Sequence, residues 1–265
     1  MVKSNFLSDI GSHRDHNDDV AEVVSNEFAQ TLLIVCDGLG GYDGSSTASC
    51  IVLETIRNAF LQTDCANLSI NNVEEQTNSD NVNKQTRESN LRAWLIDLIQ
   101  QAQKKITQQA NIDTRAYHMA TTLVICIIID QRAYIMNIGD SRAYLLKSNS
   151  YVQIGYDHNV LNRLKQMNAD PSLFKKYEKN LYSLTQYIGR TSNVALTYDF
   201  YVQDLQPNDI IFLASDGFYP YYELTLLHDY LTSEQDPQKI RDILLKTVLD
   251  NESLDNISFA YHVNL

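Results

Sequence analysis

The chain has 265 residues, enough for one large domain or two small ones with a sizeable apolar core. Its 33 acidic and 21 basic side chains give a formal net charge of -12. Nucleic-acid binding is therefore not expected, because a phosphate backbone needs a basic surface. The four cysteines show no CxxC spacing, and no apolar stretch is long enough for a signal peptide or a membrane span. We expect a reduced, cytoplasmic protein that does not bind membranes.

The first half of the chain predicts one strand and two helices. Thr31 to Cys36 is a short apolar run rich in β-branched residues, which is typical of a buried strand. Apolar residues at helical spacing then predict one helix after Ser45 and another from Leu91 to Ile106. Residues 66–90 lie between these helices and are rich in Asn, Gln, Ser and charge. This composition predicts a mobile surface insertion.

Strands predominate in the second half, which ends with two helices and a last strand. The predicted strands are Thr121 to Ile129, Ala133 to Ile138, Ala195 to Gln203, Ile210 to Ala214 and Asn256 to Val263. Apolar residues at helical spacing predict the helices over 224–231 and 240–248. Helices that come in pairs between groups of strands favour an α+β layered domain over a doubly wound parallel sheet.

Three aspartates stand where predicted strands end, each beside a glycine. Asp37 and Asp216 precede a glycine, and Asp140 follows one. An Asp-Gly pair at the end of a strand projects a carboxylate at the sheet edge, and the glycine lets a backbone carbonyl turn toward the same point, which suits a hard cation. A single Asp-Gly pair is more often an ordinary turn.

Further carboxylates at strand boundaries strengthen the prediction of a metal site. Asp18 and Asp19 come early in the chain, and Asp255 stands just before the last strand. An oxygen-rich set without a histidine-cysteine pattern favours Mg²⁺ or Mn²⁺ over Zn²⁺. Two such ions about 4 Å apart lower the pKa of a bridging water and clamp a phosphoryl group. The residues therefore predict phosphoester hydrolysis.

A series of motifs runs through nearly the whole chain. In order they are GSHRDHNDDV, VCDGLGGYDGSSTAS, ATTLVICIIIDQRAYIMNIGDSRAYLL, DHNVLNRL, LTQYIG, IIFLASDGF and DNISF. This series resembles that of the metal-dependent protein phosphatase family, which is protein phosphatase 2C-like, and the DGLGG form looks like its bacterial branch. The resemblance implies a single domain over 1–265: a four-layer α-β-β-α sandwich with two antiparallel sheets, a metal cleft at one edge and a flap over 158–179.

The same resemblance implies a centre with two Mn²⁺ or Mg²⁺ ions and a third, weaker metal. Asp37 would bridge the two ions, and Gly38 would contribute its carbonyl. The other implied ligands are Asp216 and Asp255, then Asp19 and Asp18 of the acidic pair, with Asp140 at the third metal. Asp18 stands where many relatives have the longer Glu, so a water bridge is expected there.

Two further positions bear on the chemistry. Arg14 matches the arginine that grips the substrate phosphate, a role that suits a guanidinium because it stays charged and makes bidentate contacts with phosphate oxygens. Leu39 stands where animal members carry a histidine that is taken as the general acid. A metal-bound water is therefore expected to protonate the leaving alkoxide.

The implied activity is that of a serine/threonine phosphatase. A metal-bridging hydroxide would attack the phosphorus of phosphoserine or phosphothreonine directly, without a phosphoenzyme. The expected partners are phosphorylated proteins, including a cognate serine/threonine kinase. Two alternatives stay open: a catalytically weak phosphatase-fold module that binds phosphoprotein or a regulator, and a chain whose carboxylates only form turns around a structural cation.

Overall fold

The computed structural model describes residues 3–39, 44–68, 80–112, 118–189 and 196–265. The strands are β1 (Lys3–Asp9), β2 (Val20–Ser25), β3 (Thr31–Cys36), β4 (Gly38–Leu39), β5 (Ala120–Thr121), β6 (Leu123–Ile129), β7 (Arg132–Ile138), β8 (Arg142–Lys147), β9 (Ser150–Ile154), β10 (Ile188–Gly189), β11 (Asp199–Asp204), β12 (Ile210–Ala214) and β13 (Ile257–Val263). The helices are α1 (Ser45–Leu61), α2 (Asp80–Ile112), α3 (Val160–Gln166), α4 (Pro171–Lys176), α5 (Leu227–Ser233) and α6 (Pro237–Asp250).

The long strands form two five-stranded antiparallel sheets. The first has the order β1-β13-β12-β8-β9, and the second has the order β11-β7-β6-β3-β2. A small sheet, β10-β5-β4, joins the short strands. In the first sheet Ile210 pairs with Val263 at one end of the β12-β13 ladder, and Ala214 pairs with Phe259 at the other. The metal-ligand candidates that follow β12 and precede β13 are therefore brought to the same end of the sheet.

The side chains of the two sheets divide among three apolar layers. Alternate residues, such as Leu33 and Leu213, fill the space between the sheets. On the outer face of the second sheet, α1 and α2 pack through residues that include Ile56 and Leu95. On the outer face of the first sheet, α5 and α6 cover a cluster that includes Phe212. The order of layers is thus α-β-β-α, which confirms the predicted sandwich.

Helix α2 begins earlier than the sequence predicts. Residues 80–90 were assigned to a surface insertion over 66–90, but they form the first turns of this helix. From Lys84 onward the polar side chains of these turns are exposed or half-buried. Two of them tie the helix to the preceding segment: Arg87 donates to the carbonyl of Ala66 and Asn90 to that of Leu68. Residues 69–79 of the predicted insertion lie outside the described residues. None of the helices in the described parts of the chain is both long and apolar enough to cross a membrane.

Strands β1, β2, β8 and β9 were not predicted. β9 is an edge strand with mostly exposed side chains, and β1 carries little apolar alternation, so neither has a strong local signal. They form because a neighbour supplies the hydrogen-bonding ladder: β1 pairs with β13 along its full length, from Lys3 opposite Val263 to Asp9 opposite Ile257. Strand formation of this kind depends on partners distant in sequence.

His262 on β13 makes folding stability depend on pH. It is 3% exposed, and burial lowers its pKa to about 4 because the imidazolium is poorly solvated there. The unfolded chain binds this proton more tightly, so the contribution is fully present above the unfolded pKa of about 6.5 and is lost as the pH falls toward about 4. We expect wild type to lose about 2 kcal/mol more than His262→Gln between about pH 7.5 and about pH 5.

Urea unfolding in chelator, measured for both proteins across this range, tests the expectation. The chelator removes any contribution of metal binding, and the difference between the two proteins cancels the other titrating groups. A difference that stays constant with pH would contradict it.

Candidate active site

Asp37 follows β3 directly, and two threonines hold its backbone. Its carbonyl accepts hydrogen bonds from the Thr122 N–H (2.8 Å) and the Thr121 hydroxyl (2.9 Å), while its own N–H donates to Thr122 Oγ1 (3.0 Å). The fully buried Thr122 hydroxyl also lies 2.7 Å from that of Ser141, the residue after Asp140. Thr122 therefore links the turn of Asp37 to the turn of Asp140.

Asp18 caps the N-terminus of α1. Its Oδ1 accepts from the Ser46 N–H at 3.0 Å, where a negative charge also interacts favourably with the helix dipole. Its backbone carbonyl accepts from the Ser49 hydroxyl at 2.6 Å. Gly38 packs against the same carbonyl, and a Cβ at Gly38 would stand 2.5 Å from it, so only glycine fits. One oxygen of Asp18 thus has a structural role in the fold.

The buried side chain of Asn256 holds the loop that carries Arg14. Its Oδ1 accepts from the Asp18 N–H at 2.9 Å. Its Nδ2 donates to the carbonyls of Ile10 (2.8 Å) and His16 (2.9 Å). Since Asn256 adjoins β13, these three bonds fasten the loop to the end of the first sheet.

All the predicted site residues except Asp19 line one small cavity of about 130 Å³, together with Leu39 and Asn256. They are Arg14, Asp18, Asp37, Gly38, Asp140, Asp216 and Asp255. Residues from distant parts of the chain therefore meet where the sequence predicts a metal cleft. Leu39 contributes no proton donor to the wall.

Asp19 does not line the cavity. It is 4% exposed, and its Oδ2 has no hydrogen-bond partner among the residues of the described ranges. The hydroxyls of Ser215 and Ser258 are close enough to stabilise its charge. A buried carboxylate oxygen without a partner is costly in an ordinary core, but it is a suitable ligand for a cation or for water bound to one.

Burial disfavours the charged form of several carboxyl groups of the site and raises their pKa. Burial raises the pKa of Asp19 to about 7 and that of Asp140 to about 7. Burial also raises the pKa of Asp37 and of Asp216, and neighbouring carboxylates raise both further. The side chains of Asp37 and Asp216 lie within hydrogen-bonding reach of each other. Divalent cations would relieve this mutual repulsion.

The donor set fits a hard divalent cation. The cavity presents carboxylate and carbonyl oxygens, and no histidine or cysteine is among the described residues that line it. Within the described ranges, however, no three acidic, histidine or cysteine side chains already stand as a closed ligand group.

Arg14 forms an ion pair with Asp255 at the mouth of the cavity. Its Nη2 lies 2.6 Å from Asp255 Oδ2, and both side chains are partly exposed. A partly exposed pair of this kind contributes little to stability. The effect of this ion pair is to hold the Arg14 guanidinium beside the carboxylates of the cavity.

A family sequence model described as Protein phosphatase 2C matches residues 11–254. The chain belongs to the protein phosphatase 2C family. Among its relatives, a Mycoplasma pneumoniae protein named as a candidate protein phosphatase is 33% identical over 95% of this chain and 92% of its own. The serine/threonine phosphatase stp of Listeria welshimeri is 28% identical over 97% of this chain and 94% of its own.

Solved structures of the family share the fold. The serine/threonine phosphatase Stp1 from Staphylococcus aureus is 26% identical, with a TM-score of 0.75 over 100% of this chain and 95% of that one. The S. agalactiae serine/threonine phosphatase superposes with a TM-score of 0.81 over 100% of both chains, at 22% identity. The predictions of a protein phosphatase 2C fold and of a serine/threonine phosphatase are confirmed.

Two residues that organise this protein phosphatase 2C site were given no role by sequence reasoning. Thr122 and Asn256 act through buried hydrogen bonds to backbone groups distant in sequence. Both occur inside recognisable motifs, ATT and DNIS. For Asn256 the signal that could have identified it is a polar residue at a strand boundary next to the predicted ligand Asp255, whereas Thr122 has no predicted ligand beside it in the sequence.

Removing the Asn256 side chain should loosen the loop of Arg14. Asn256→Ala leaves one N–H and two carbonyls without their partner, so we expect the free energy of unfolding to fall by about 2 to 4 kcal/mol. Asn251→Ala is the matched control, because its Nδ2 donates to the Tyr221 carbonyl at an exposed position. Urea denaturation of both variants tests the difference. Equal stability of the two would show that the three bonds contribute nothing.

Proposed function

We propose that this serine/threonine phosphatase carries out hydrolysis at the small cavity. The proposed metal ligands are Asp37, Gly38, Asp216, Asp255, Asp19, Asp18 and Asp140, and Arg14 is the proposed phosphate-binding residue. The observation that carries the proposal is the meeting of carboxylates from separate strands in a single cavity with a guanidinium at its mouth.

We infer that the cofactors are two Mn²⁺ or Mg²⁺ ions with a third, weaker metal near Asp140. The oxygen-only donor set supports hard cations, and the buried Asp19 oxygen supports a ligand or water-mediated role for that residue. When bound, such ions would lower the pKa of coordinated water and offset charge on the phosphoryl oxygens.

The protein's own groups would orient the substrate. Arg14 can direct two N–H groups toward phosphate oxygens and stabilise the charge that develops on them during displacement. The cavity of about 130 Å³ has room for a phosphoryl group but not for the polypeptide that carries it. Because Leu39 has no proton to give, the proton for the leaving alkoxide would come from water.

The remaining proposals concern context. The substrates are phosphorylated proteins, and we propose that a serine/threonine kinase is among them. We propose a cytoplasmic location, which the four free cysteines support. We also propose that the chain is one domain, since the family match runs from 11 to 254. Residues 158–179, which contain α3 and α4, are the proposed flap.

No observation favours the alternative of a weak binding module. Losing activity usually removes a ligand or the phosphate-binding arginine, and here Arg14 and the proposed aspartates other than Asp19 line the cavity, while the buried Asp19 is close enough to raise the pKa of Asp37. The alternative of turns around a structural cation predicts neither hydrolysis nor binding of a phosphopeptide, so the assay below tests it as well.

The assay of a phosphothreonine peptide with Mn²⁺, with chelator, and with Asp37→Asn tests the proposed centre. We expect turnover that chelator abolishes, and a loss of about 10³-fold or more in Asp37→Asn, because that substitution removes the proposed bridging charge. Absence of chelator-sensitive turnover in wild type would overturn the enzyme proposal. Binding of the peptide without turnover would support the alternative of a catalytically weak module that binds phosphoprotein.

The conservative variant Arg14→Lys tests the phosphate-binding role. It keeps the charge and the pairing with Asp255 but loses the bidentate geometry, so we expect kcat/KM to fall about 10- to 100-fold. Arg92→Lys, at an exposed position on α2, is the matched control and should leave kcat/KM within about twofold of wild type. Equal kinetics for Arg14→Lys and Arg92→Lys would contradict the role of Arg14.

A further inference from the structure

A larger cavity of about 670 Å³ adjoins the catalytic one and shares Asp140 and Asp216 with it. Six tyrosines line it, and we call it the tyrosine groove: Tyr144, Tyr151, Tyr182, Tyr219, Tyr221 and Tyr222. Because the two cavities share wall residues, a substrate polypeptide whose phosphate occupies the small cavity has the groove directly beside it.

The floor of the tyrosine groove lies on β8 and β9 of the first sheet. Tyr144 on β8 is opposite Gln153 on β9, and the rings of Tyr144 and Tyr151 meet edge to face at 6.0 Å. One wall is formed by two single-turn 3₁₀ helices, Tyr219–Tyr221 and Leu224–Leu226. The groove is therefore built mainly on a sheet and short helical turns.

The charge of the tyrosine groove is negative once its internal pairing is considered. Among its described lining residues the basic side chain is Arg142, which makes two hydrogen bonds to Asp157 (2.8 and 2.7 Å) and lies 3.8 Å from the centre of the Tyr219 ring. Arg142 is thus already neutralised. Apart from Asp140 and Asp216 of the catalytic cavity, the remaining charged group is the exposed carboxylate of Glu223.

Resting on the proposed function, we propose that the tyrosine groove binds the substrate segment next to the phosphorylated residue and selects a lysine or arginine side chain there. The groove has the size of a typical ligand cavity, whereas the catalytic cavity accepts the phosphoryl group alone. Tyrosine faces attract a cation, and Glu223 offers it a counter-charge.

The same chemistry disfavours other side chains in this segment. An acidic side chain would be repelled by Glu223 and by a protein of net charge -12. An aliphatic side chain would pack against the rings but would gain nothing from the negative charge of Glu223. A long basic side chain can contact both the rings and Glu223, because its methylenes lie along the aromatic surface while its charged end reaches the carboxylate.

The test compares phosphothreonine peptides of one length that carry lysine, alanine or glutamate at the same positions on both sides of the phosphothreonine. With wild-type protein and Mn²⁺ at low ionic strength, we expect kcat/KM for the lysine peptide to exceed that for the glutamate peptide about tenfold, mainly through KM. The advantage should shrink as salt is added. Equal rates, or a preference for alanine or glutamate, would overturn the proposal.

Two variants assign the selectivity to the groove. Glu223→Gln removes the charge but keeps an oxygen that can accept the hydrogen bonds of Thr225. Tyr182→Ala removes a ring that is 75% exposed, so folding should be preserved. Each should lower the lysine-to-glutamate ratio of kcat/KM about threefold. The controls Glu27→Gln and Tyr156→Ala change exposed residues outside the groove and should keep the wild-type ratio.

The outcomes separate this proposal from the proposed function. A ratio that neither groove variant changes would overturn the role of the groove while leaving phosphatase activity intact. If no peptide is hydrolysed, the proposed function fails, and fluorescence anisotropy of labelled peptides decides about the groove. Tighter binding of the lysine peptide that weakens in Tyr182→Ala would support the groove, and equal binding of the lysine and glutamate peptides would overturn it.

Discussion

The crowding of carboxylates in one cavity is the constraint on which the rest of the architecture depends. Asp37, Asp140 and Asp216 repel one another when ionised, and burial adds to the free energy of keeping them charged. A chain free to relax would separate them. They stay together because each follows or precedes a strand whose position is set by a ladder of backbone hydrogen bonds and by an apolar layer on each face.

The backbone of the site is held by neutral, buried hydrogen bonds, which leaves the carboxylates available for ligands. Thr122 binds both the N–H and the carbonyl of Asp37, and Asn256 fastens the loop of Arg14. Such fully satisfied polar groups specify one arrangement in a core. The electrostatic cost of the site is therefore offset by the surrounding fold, which is how strained or charged active sites generally persist.

The surface beside the site, which is the tyrosine groove, also carries negative charge. The chain carries a net charge of -12, and the tyrosine groove neutralises its own arginine through Asp157. Its aromatic rings can contact many sequences, but the carboxylate of Glu223 favours those that bring positive charge. Selectivity of this kind would act on the segment that flanks the phosphorylated residue, whereas Arg14 and the cations are the groups proposed to bind the phosphate itself.

Local sequence patterns predict the buried strands, the helices with an apolar stripe and the candidate ligands, because each depends on residues close together in the chain. Thr31 to Cys36 and Ile210 to Ala214 are strands with the predicted bounds, and Asp37 and Asp216 stand at their ends. The features that depend on partners distant in sequence are seen only in the tertiary structure. In the folded chain β1 pairs with β13 and α2 begins at Asp80. Asp18 accepts a hydrogen bond from the N-terminus of α1, and Arg14 forms an ion pair with Asp255. These features rest on contacts that no local pattern encodes.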